Sequence, residues 1–258
     1  MERIEASSEN SSVYGEESRE GVVLKRFLKK YPPVWKSIKA IYWQAWKLSS
    51  NIYLNYIFRL LHLKEWRAVN RLRCQFREIQ LSTEEIVLIH KAITKHPKCR
   101  LLVFGLGNDT PLWMEVNREG ETVFLEDNDK WFEQITKLYP QVKAYRVNYP
   151  TQRNQWHNLL NRTEDLIMQL PAEVAHRKWD VILVDAPAGY SDITPGRMQS
   201  IYTASRLIDK GGHIFVDDCY RKVEQVYSDK YLRKQNRIPH ILFNGKLRVY
   251  VMKDGLNL

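Results

Sequence analysis

From Cys99 onward, short apolar runs alternate with stretches whose apolar residues recur every three or four positions, the pattern of a parallel sheet with crossover helices. The runs are LLVFGL from Leu101, TVFLE from Thr122, VKAYRV from Val142, WDVILVD from Trp179 and HIFVD from His213. A parallel strand covered on both faces has no polar side to show, and WDVILVD is continuously apolar in that way. Helical spacing runs from Trp113 to Asn117, Lys130 to Tyr139, Asn154 to Leu170 and Arg197 to Ile208. The stretch HILFNGKLRVYVMK predicts two strands joined at Asn244 and Gly245, an antiparallel hairpin turn. The expected class is α/β, a mostly parallel sheet finished by an antiparallel hairpin.

Upstream the spacing is helical throughout. Ser82 with Glu85 three residues on predicts a capping box opening a helix from Thr83 to Lys95. After Pro32 and Pro33, Val34, Trp35, Ile38, Ile41, Tyr42 and Ala45 share one helical face, while Lys36, Lys39 and Lys47 fall elsewhere. Beyond a cap at Ser49, Ser50 and Asn51, a second apolar face comprises Tyr53, Leu54, Ile57, Phe58, Leu60 and Leu61. Residues 1–20 are rich in Ser and Glu, with too few large apolar groups to offset the entropy of ordering, so disorder is expected there. This divides the chain into a tail over 1–20, a helical extension over 21–80 and a main domain over 81–258.

Charge sharpens that division. The chain carries +10 overall, yet residues 21–80 hold thirteen Lys or Arg against Glu65 and Glu78, a local +11 that leaves the remainder near neutral. A near-neutral main domain is no general polyanion binder, which argues against nucleic acid as the partner. Trp35, Trp43, Trp46 and Trp66 lie in the basic part, a composition suited to an anionic membrane surface; the other reading is that they pack on the main domain. No run approaches the roughly 18–20 apolar residues that span a bilayer, and the opening residues lack the apolar core of a secretory signal, so a cytoplasmic location, peripheral at a membrane if the basic helices bind one, is expected. Cys74, Cys99 and Cys219 have no metal or disulfide spacing and read as three reduced thiols.

The chemistry gathers at strand ends. VFGLGND places Gly105 and Gly107 in a strand-to-helix turn, where missing side chains let a ligand approach the backbone. A dinucleotide fingerprint would require a third glycine at position 110, where this chain has Thr110 followed by Pro111. Glu126 ends the second strand about twenty residues later, at the spacing of a carboxylate that accepts both hydroxyls of an adenosine ribose. Asp185 ends the fourth strand, and Asp217 and Asp218 end the fifth. Three carboxylates at one sheet edge can take a proton from an acceptor hydroxyl or hold a hard divalent cation, with Asp185, Asp217 and Asp218 as its ligands. Arg197 and Arg221 flank that edge, and a guanidinium can grip an acidic acceptor through paired hydrogen bonds or pair internally with Asp192 or Asp218.

Three blocks, VFGLGNDTPLWMEVNREGETVFLED, WDVILVDAPAGYSDITPGRM and IFVDDCYRKVEQVYSDKYL, resemble the polysaccharide-biosynthesis methyltransferase family of glucuronoxylan 4-O-methyltransferases and plant xylan-assembly proteins. The likeness runs from about Cys99 to about Leu232, with the blocks in the family's order. It implies a Rossmann-like S-adenosylmethionine methyltransferase acting on a sugar hydroxyl, with a uronic acid in a polysaccharide or glycan precursor as acceptor. It implies Gly105 and Gly107 in the cofactor loop, Glu126 at the ribose, Asp185 at the cofactor and acceptor edge, and Arg197 and Arg221 near the acceptor; with the neighbouring residues, the candidate cofactor set is Gly105, Gly107, Asn108, Glu126, Asp127 and Asp185, and the candidate catalytic set is Asp185, Asp218, Arg197 and Arg221. The family's His-Asp-Tyr-Tyr-Arg stretch is altered here: Asp217 replaces the His and Cys219 the first Tyr, which bears on acceptor chemistry and metal use. Two rival readings stand beside this one, a catalytically silent module of a polysaccharide-assembly complex and a nucleic-acid methyltransferase gripping through the basic extension.

Overall fold

A computed structural model describes residues 55–76, 78–239 and 246–252. Its centre is a seven-stranded sheet in the order β3-β2-β1-β4-β5-β7-β6. The strands are β1 (Arg100–Phe104), β2 (Glu121–Glu126), β3 (Ala144–Arg146), β4 (Trp179–Val184), β5 (Ile208–Val216), β6 (Arg237–Ile238) and β7 (Arg248–Val251). The first five are parallel, and β7 lies antiparallel between β5 and β6. The chain leaves β1 toward β2 and β3, then returns to add β4 and β5 on the other side. This reversal opens a crevice beyond the carboxyl ends of β1 and β4, where α/β sheets of this kind take ligands.

Period-two alternation sends successive strand residues to opposite faces, and both faces are covered. Leu102, Phe104, Ile182, Val184, Ile214 and Val216 enter one buried cluster; Leu101, Val103, Val181, Leu183 and Phe215 enter the other. That two-sided burial explains the uninterrupted apolar runs. The helices are α1 (Leu63–Arg73), α2 (Thr83–Thr94), α3 (Thr110–Val116), α4 (Asp129–Leu138), α5 (Met198–Leu207) and α6 (Lys222–Tyr231), with shorter turns between β3 and β4. Both halves of the capping box on α2 form: Ser82 Oγ accepts from the Glu85 amide at 3.3 Å, and Glu85 Oε2 accepts from the Ser82 amide at 2.7 Å.

Two expectations need correction. The stretch 154–170 is not one helix but short turns at Arg153–Gln155, Trp156–Leu159 and Thr163–Leu166. Side chains from α5 and α6 take the carbonyls a helix would use: Tyr227 Oη donates to Trp156 O at 2.7 Å, Tyr231 Oη to Leu160 O at 2.7 Å and Gln199 Nε2 to Asp165 O at 3.2 Å. At the C-terminal edge, the strand paired with β7 is Arg237–Ile238, ahead of the segment expected from its apolar residues. The turn at Asn244 and Gly245 lies outside the described residues.

Of the extension, residues 55–61 are helical and lead into α1. Phe58 and Val69 join the second cluster and Trp66 packs against it half-buried, with the Arg59 guanidinium 4.5 Å from its ring centre. Leu60 and Leu61, expected on the same apolar face as Phe58, are instead exposed. The tail, the first extension helix, Trp35, Trp43 and Trp46 lie outside the described residues. Among the described residues no helix is long and apolar enough to cross a membrane. Cys74, Cys99 and Cys219 are free thiols.

Candidate active site

The crevice holds a cavity of about 460 Å³, within the range of small-molecule sites. One wall is the turn after β1. Gly105 has φ +119°, a backbone angle that favours glycine, and a Cβ there would stand a tight 3.2 Å from the Ala186 Cβ. The Gly107 amide donates to Thr110 Oγ1 at 3.0 Å. Thr110 thus closes the turn at the position where a dinucleotide fingerprint carries its third glycine, and Pro111 follows in the first turn of α3.

Glu126 ends β2 and reaches back to this turn. Its Oε2 accepts from the Leu106 amide at 2.6 Å and its Oε1 from the Asn128 amide at 2.7 Å. Only 5% of Glu126 is exposed, yet it lines the cavity. Burial raises its carboxyl above the ordinary value, while the two amides pull the other way. A carboxylate has about four acceptor positions, so two remain for a ribose. Asp127, also raised by burial, and Asn108 line the same cavity, the latter's Nδ2 donating to Glu78 Oε2 at 3.4 Å. The volume, the glycine bend and the half-satisfied acid together fit a nucleoside.

The opposite wall is an acid–arginine cluster. Arg197, 4% exposed, bonds Asp185 Oδ1 at 3.0 Å and Asp218 Oδ2 at 2.8 Å through one nitrogen, Nη2. Arg221 Nη2 meets the same Asp218 oxygen at 3.0 Å. Asp218 holds φ +57°, a left-handed angle unusual for a side-chain-bearing residue, which the two guanidiniums help to fix. Asp185 is recessed, but about a third of its side chain (36%) faces the cavity. Burial pushes its carboxyl up to about 8; Arg197 opposes this, and Asp217, Asp109 and Asp218 add to it. Burial pulls the Arg197 guanidinium down, but the surrounding acids more than compensate and it stays charged.

Asp185, Asp217 and Asp218 can bring one oxygen each within 4.8 Å of one another. A divalent cation there would compete with Arg197 and Arg221 for Asp185 and Asp218, and with Lys246, whose Nζ stands 3.8 Å from Asp217 Oδ1. Cys219 is buried, and its thiol is pushed up to about 12 by that burial. It therefore packs as an apolar group where the likened stretch has its first tyrosine.

The sequence model of the family described as IRX15/IRX15L/GXM matches residues 84–167 and 164–249. The chain belongs to the IRX15/IRX15L/GXM family. Among its relatives, glucuronoxylan 4-O-methyltransferase 1 of Arabidopsis thaliana is 35% identical over 205 residues, 68% of this chain and 70% of that protein. Arabinogalactan O-methyltransferase 2 of the same plant is 31% identical, over 69% of each chain. Among solved structures, a caffeoyl-CoA O-methyltransferase homologue from Staphylococcus aureus aligns with 79% of this chain and 99% of its own, at 15% identity and TM-score 0.44. With O-methyltransferases among its relatives at 35% and 37% identity, the chain is a methyltransferase.

All the candidate site residues singled out from the sequence line this one crevice except Arg221, which stands behind Asp218; Gly107 also shapes the turn, and Asp217 also lies near Lys246. The cavity also takes residues outside the strand-end pattern. Asp109 lines the cavity, accepts from Trp113 Nε1 at 2.7 Å and is raised by burial. Its place directly after the glycine turn was the available signal. Trp131, in the first turn of α4, and Glu78, Gln80 and Leu81, ahead of α2, also line the cavity. No local spacing marks those four.

Proposed function

We propose that this chain transfers a methyl group from S-adenosylmethionine to a sugar hydroxyl, with a uronic acid unit of a polysaccharide or glycan precursor as the acceptor. The observation that carries the reading is the buried Glu126 carboxylate, fixed against the Gly105–Leu106 bend on one side of a nucleoside-sized cavity, with the Asp185–Arg197–Asp218 cluster on the other. Glu126, Asp127, Asn108 and the glycine turn hold the donor. Bound there, S-adenosylmethionine supplies an electrophilic methyl on a sulfonium. Asp185 is the proton acceptor: it faces the cavity, has only one guanidinium on it and is the more basic for being recessed. Asp218, whose Oδ2 is shared by two guanidiniums, positions Arg197 and Arg221. An acidic acceptor is favoured by these two arginines, each of which has a buried Nη1 with no hydrogen-bond partner. The names of the relatives, which specify glucuronoxylan and arabinogalactan, support a polysaccharide acceptor.

Titration calorimetry with S-adenosylmethionine and S-adenosylhomocysteine tests the donor site, and methyl transfer to glucuronic-acid-bearing xylo-oligosaccharides tests the acceptor. Wild-type protein that takes up neither nucleoside ends the reading.

We also propose that the basic extension over 21–80 rests on an anionic membrane surface, since Tyr56, Leu60, Leu61 and Leu63 stand exposed beside Arg59. Equal recovery in the supernatant with anionic liposomes at low and high salt would rule this out.

A further inference from the structure

Three large side chains stand exposed on the loops that follow β4 and β5. Tyr190 is 76% exposed, Ile193 77% and Tyr220 58%. Tyr190 also lines the cavity itself. Its loop, between β4 and α5, is not slack. The Gly196 amide donates to Ala188 O at 2.9 Å, the Arg153 amide to Thr194 O at 2.7 Å and the Asn154 amide to Asp192 O at 3.1 Å; Arg153 also pairs with the Asp192 carboxylate. An exposed ring on a pinned loop is preorganised for contact, because little freedom is left to lose on binding.

Arg221 joins the two tyrosines. A Cβ on Gly189, the neighbour of Tyr190, would stand 3.0 Å from Arg221 Nη1 and 2.9 Å from Glu224 Oε1, so the backbone beside Tyr190 lies directly on that guanidinium. The other edge of Arg221 donates to Tyr220 Oη at 3.2 Å, with Cζ 5.3 Å from the Tyr220 ring centre. Arg221 thus has the glycine next to Tyr190 against one end of its guanidinium and the Tyr220 phenol at the other, and Tyr190 lines the cavity that Asp185 faces. A pyranose presents weakly positive C–H faces that suit the negative face of an aromatic ring, and its hydroxyls suit the phenol edge. A uronate adds a carboxylate that suits a guanidinium.

We propose that Tyr190 and Tyr220 form the acceptor platform, stacking pyranose units of a glycan on either side of Arg221 and so choosing a sugar chain over a small free alcohol. The platform rests on the sugar-acceptor reading above and extends it to the residues that hold the chain.

Binding of a glucuronic-acid-substituted xylo-oligosaccharide, and of its unsubstituted counterpart, is measured by saturation-transfer NMR and calorimetry in the full chain with S-adenosylhomocysteine present. Tyr190→Ala and Tyr220→Ala should each weaken binding of the substituted chain about tenfold or more, raising KM with kcat nearly unchanged, and Tyr220→Ala, outside the cavity lining, should keep S-adenosylhomocysteine binding at the wild-type level. Tyr190→Phe and Tyr220→Phe, which keep the rings, should restore most of the affinity. If wild type binds and methylates the oligosaccharide and both alanine variants do so within twofold, the platform is wrong and the sugar-acceptor reading stands. If wild type binds the nucleoside but neither oligosaccharide, both fall together.

Discussion

The Glu126 carboxylate accepts the Leu106 amide at 2.6 Å across twenty residues of sequence, locking the end of β2 to the turn after β1. Glu126→Ala leaves the Leu106 and Asn128 amides without this partner, so a loss of about 1–3 kcal/mol in stability is expected along with nucleoside binding. Glu126→Gln keeps the shape and recovers stability more than affinity, since its amide cannot accept at both ends. Thermal unfolding and calorimetry run on both variants separate the two effects; wild-type affinity in Glu126→Ala would remove the residue from the donor site.

Arg197 is the cluster's keystone by charge. Arg197→Met strips the shared cation from Asp185 and Asp218 inside the fold, and unfolding should become easier by about 3–5 kcal/mol. Arg197→Lys should recover only part of this, because an ammonium cannot reproduce the planar fork. Denaturant midpoints read the difference, and a Met variant as stable as wild type would show that the pairing contributes nothing.

Asp185 gives a pH signature. With its carboxyl up to about 8, it is mostly protonated at pH 7 and becomes a competent base as pH rises. The value of kcat/KM for S-adenosylmethionine should climb through that region, and Asp185→Asn should flatten the climb while lowering turnover. The same shift works against folding: stability from this group is full below its unfolded pKa near 4 and declines as pH rises toward 8. A rising limb retained in Asp185→Asn would assign the base elsewhere.

His213 acts in the opposite direction and far from the chemistry. It is buried in β5, and burial, then Lys95 and His96, pull its imidazole down to about 4. A His with a depressed pKa supports folding above its unfolded value of 6.5 and loses that support as pH falls toward 4, by about 3 kcal/mol at most. His213→Leu should therefore blunt the acid limb of the stability profile between those limits, measured by chemical denaturation at stepped pH.

How much of this could be read from the chain alone follows from the range of each cause. The Gly105 turn and Glu126 were legible because a strand, a helix and a second strand set their separation, and β-α-β geometry returns them to one edge. Asp185, Asp217 and Asp218 were legible for the same reason, Asp185 standing just past the apolar β4 and the other two just past the apolar end of β5. The broken stretch 154–170 was not, because its helical spacing is real and the donors that divert its carbonyls, Tyr227 and Tyr231, lie some seventy residues away. Arg197 was placed at the right edge, but its bridging of two acids depends on the loop path between β4 and α5. The cavity wall at Glu78 and Gln80 falls by charge in the extension over 21–80, since composition cannot show which surface a segment covers.

That wall ties the donor pocket to what precedes the sheet. Arg73 at the end of α1 holds the segment, reaching Ile79 O at 3.4 Å and Thr83 Oγ1 at 3.1 Å. A chain trimmed back to the start of α2 would lose one side of its pocket together with Phe58, Val69, Ile79 and Leu81 from the second cluster, so the same short stretch of polypeptide serves cavity and core at once.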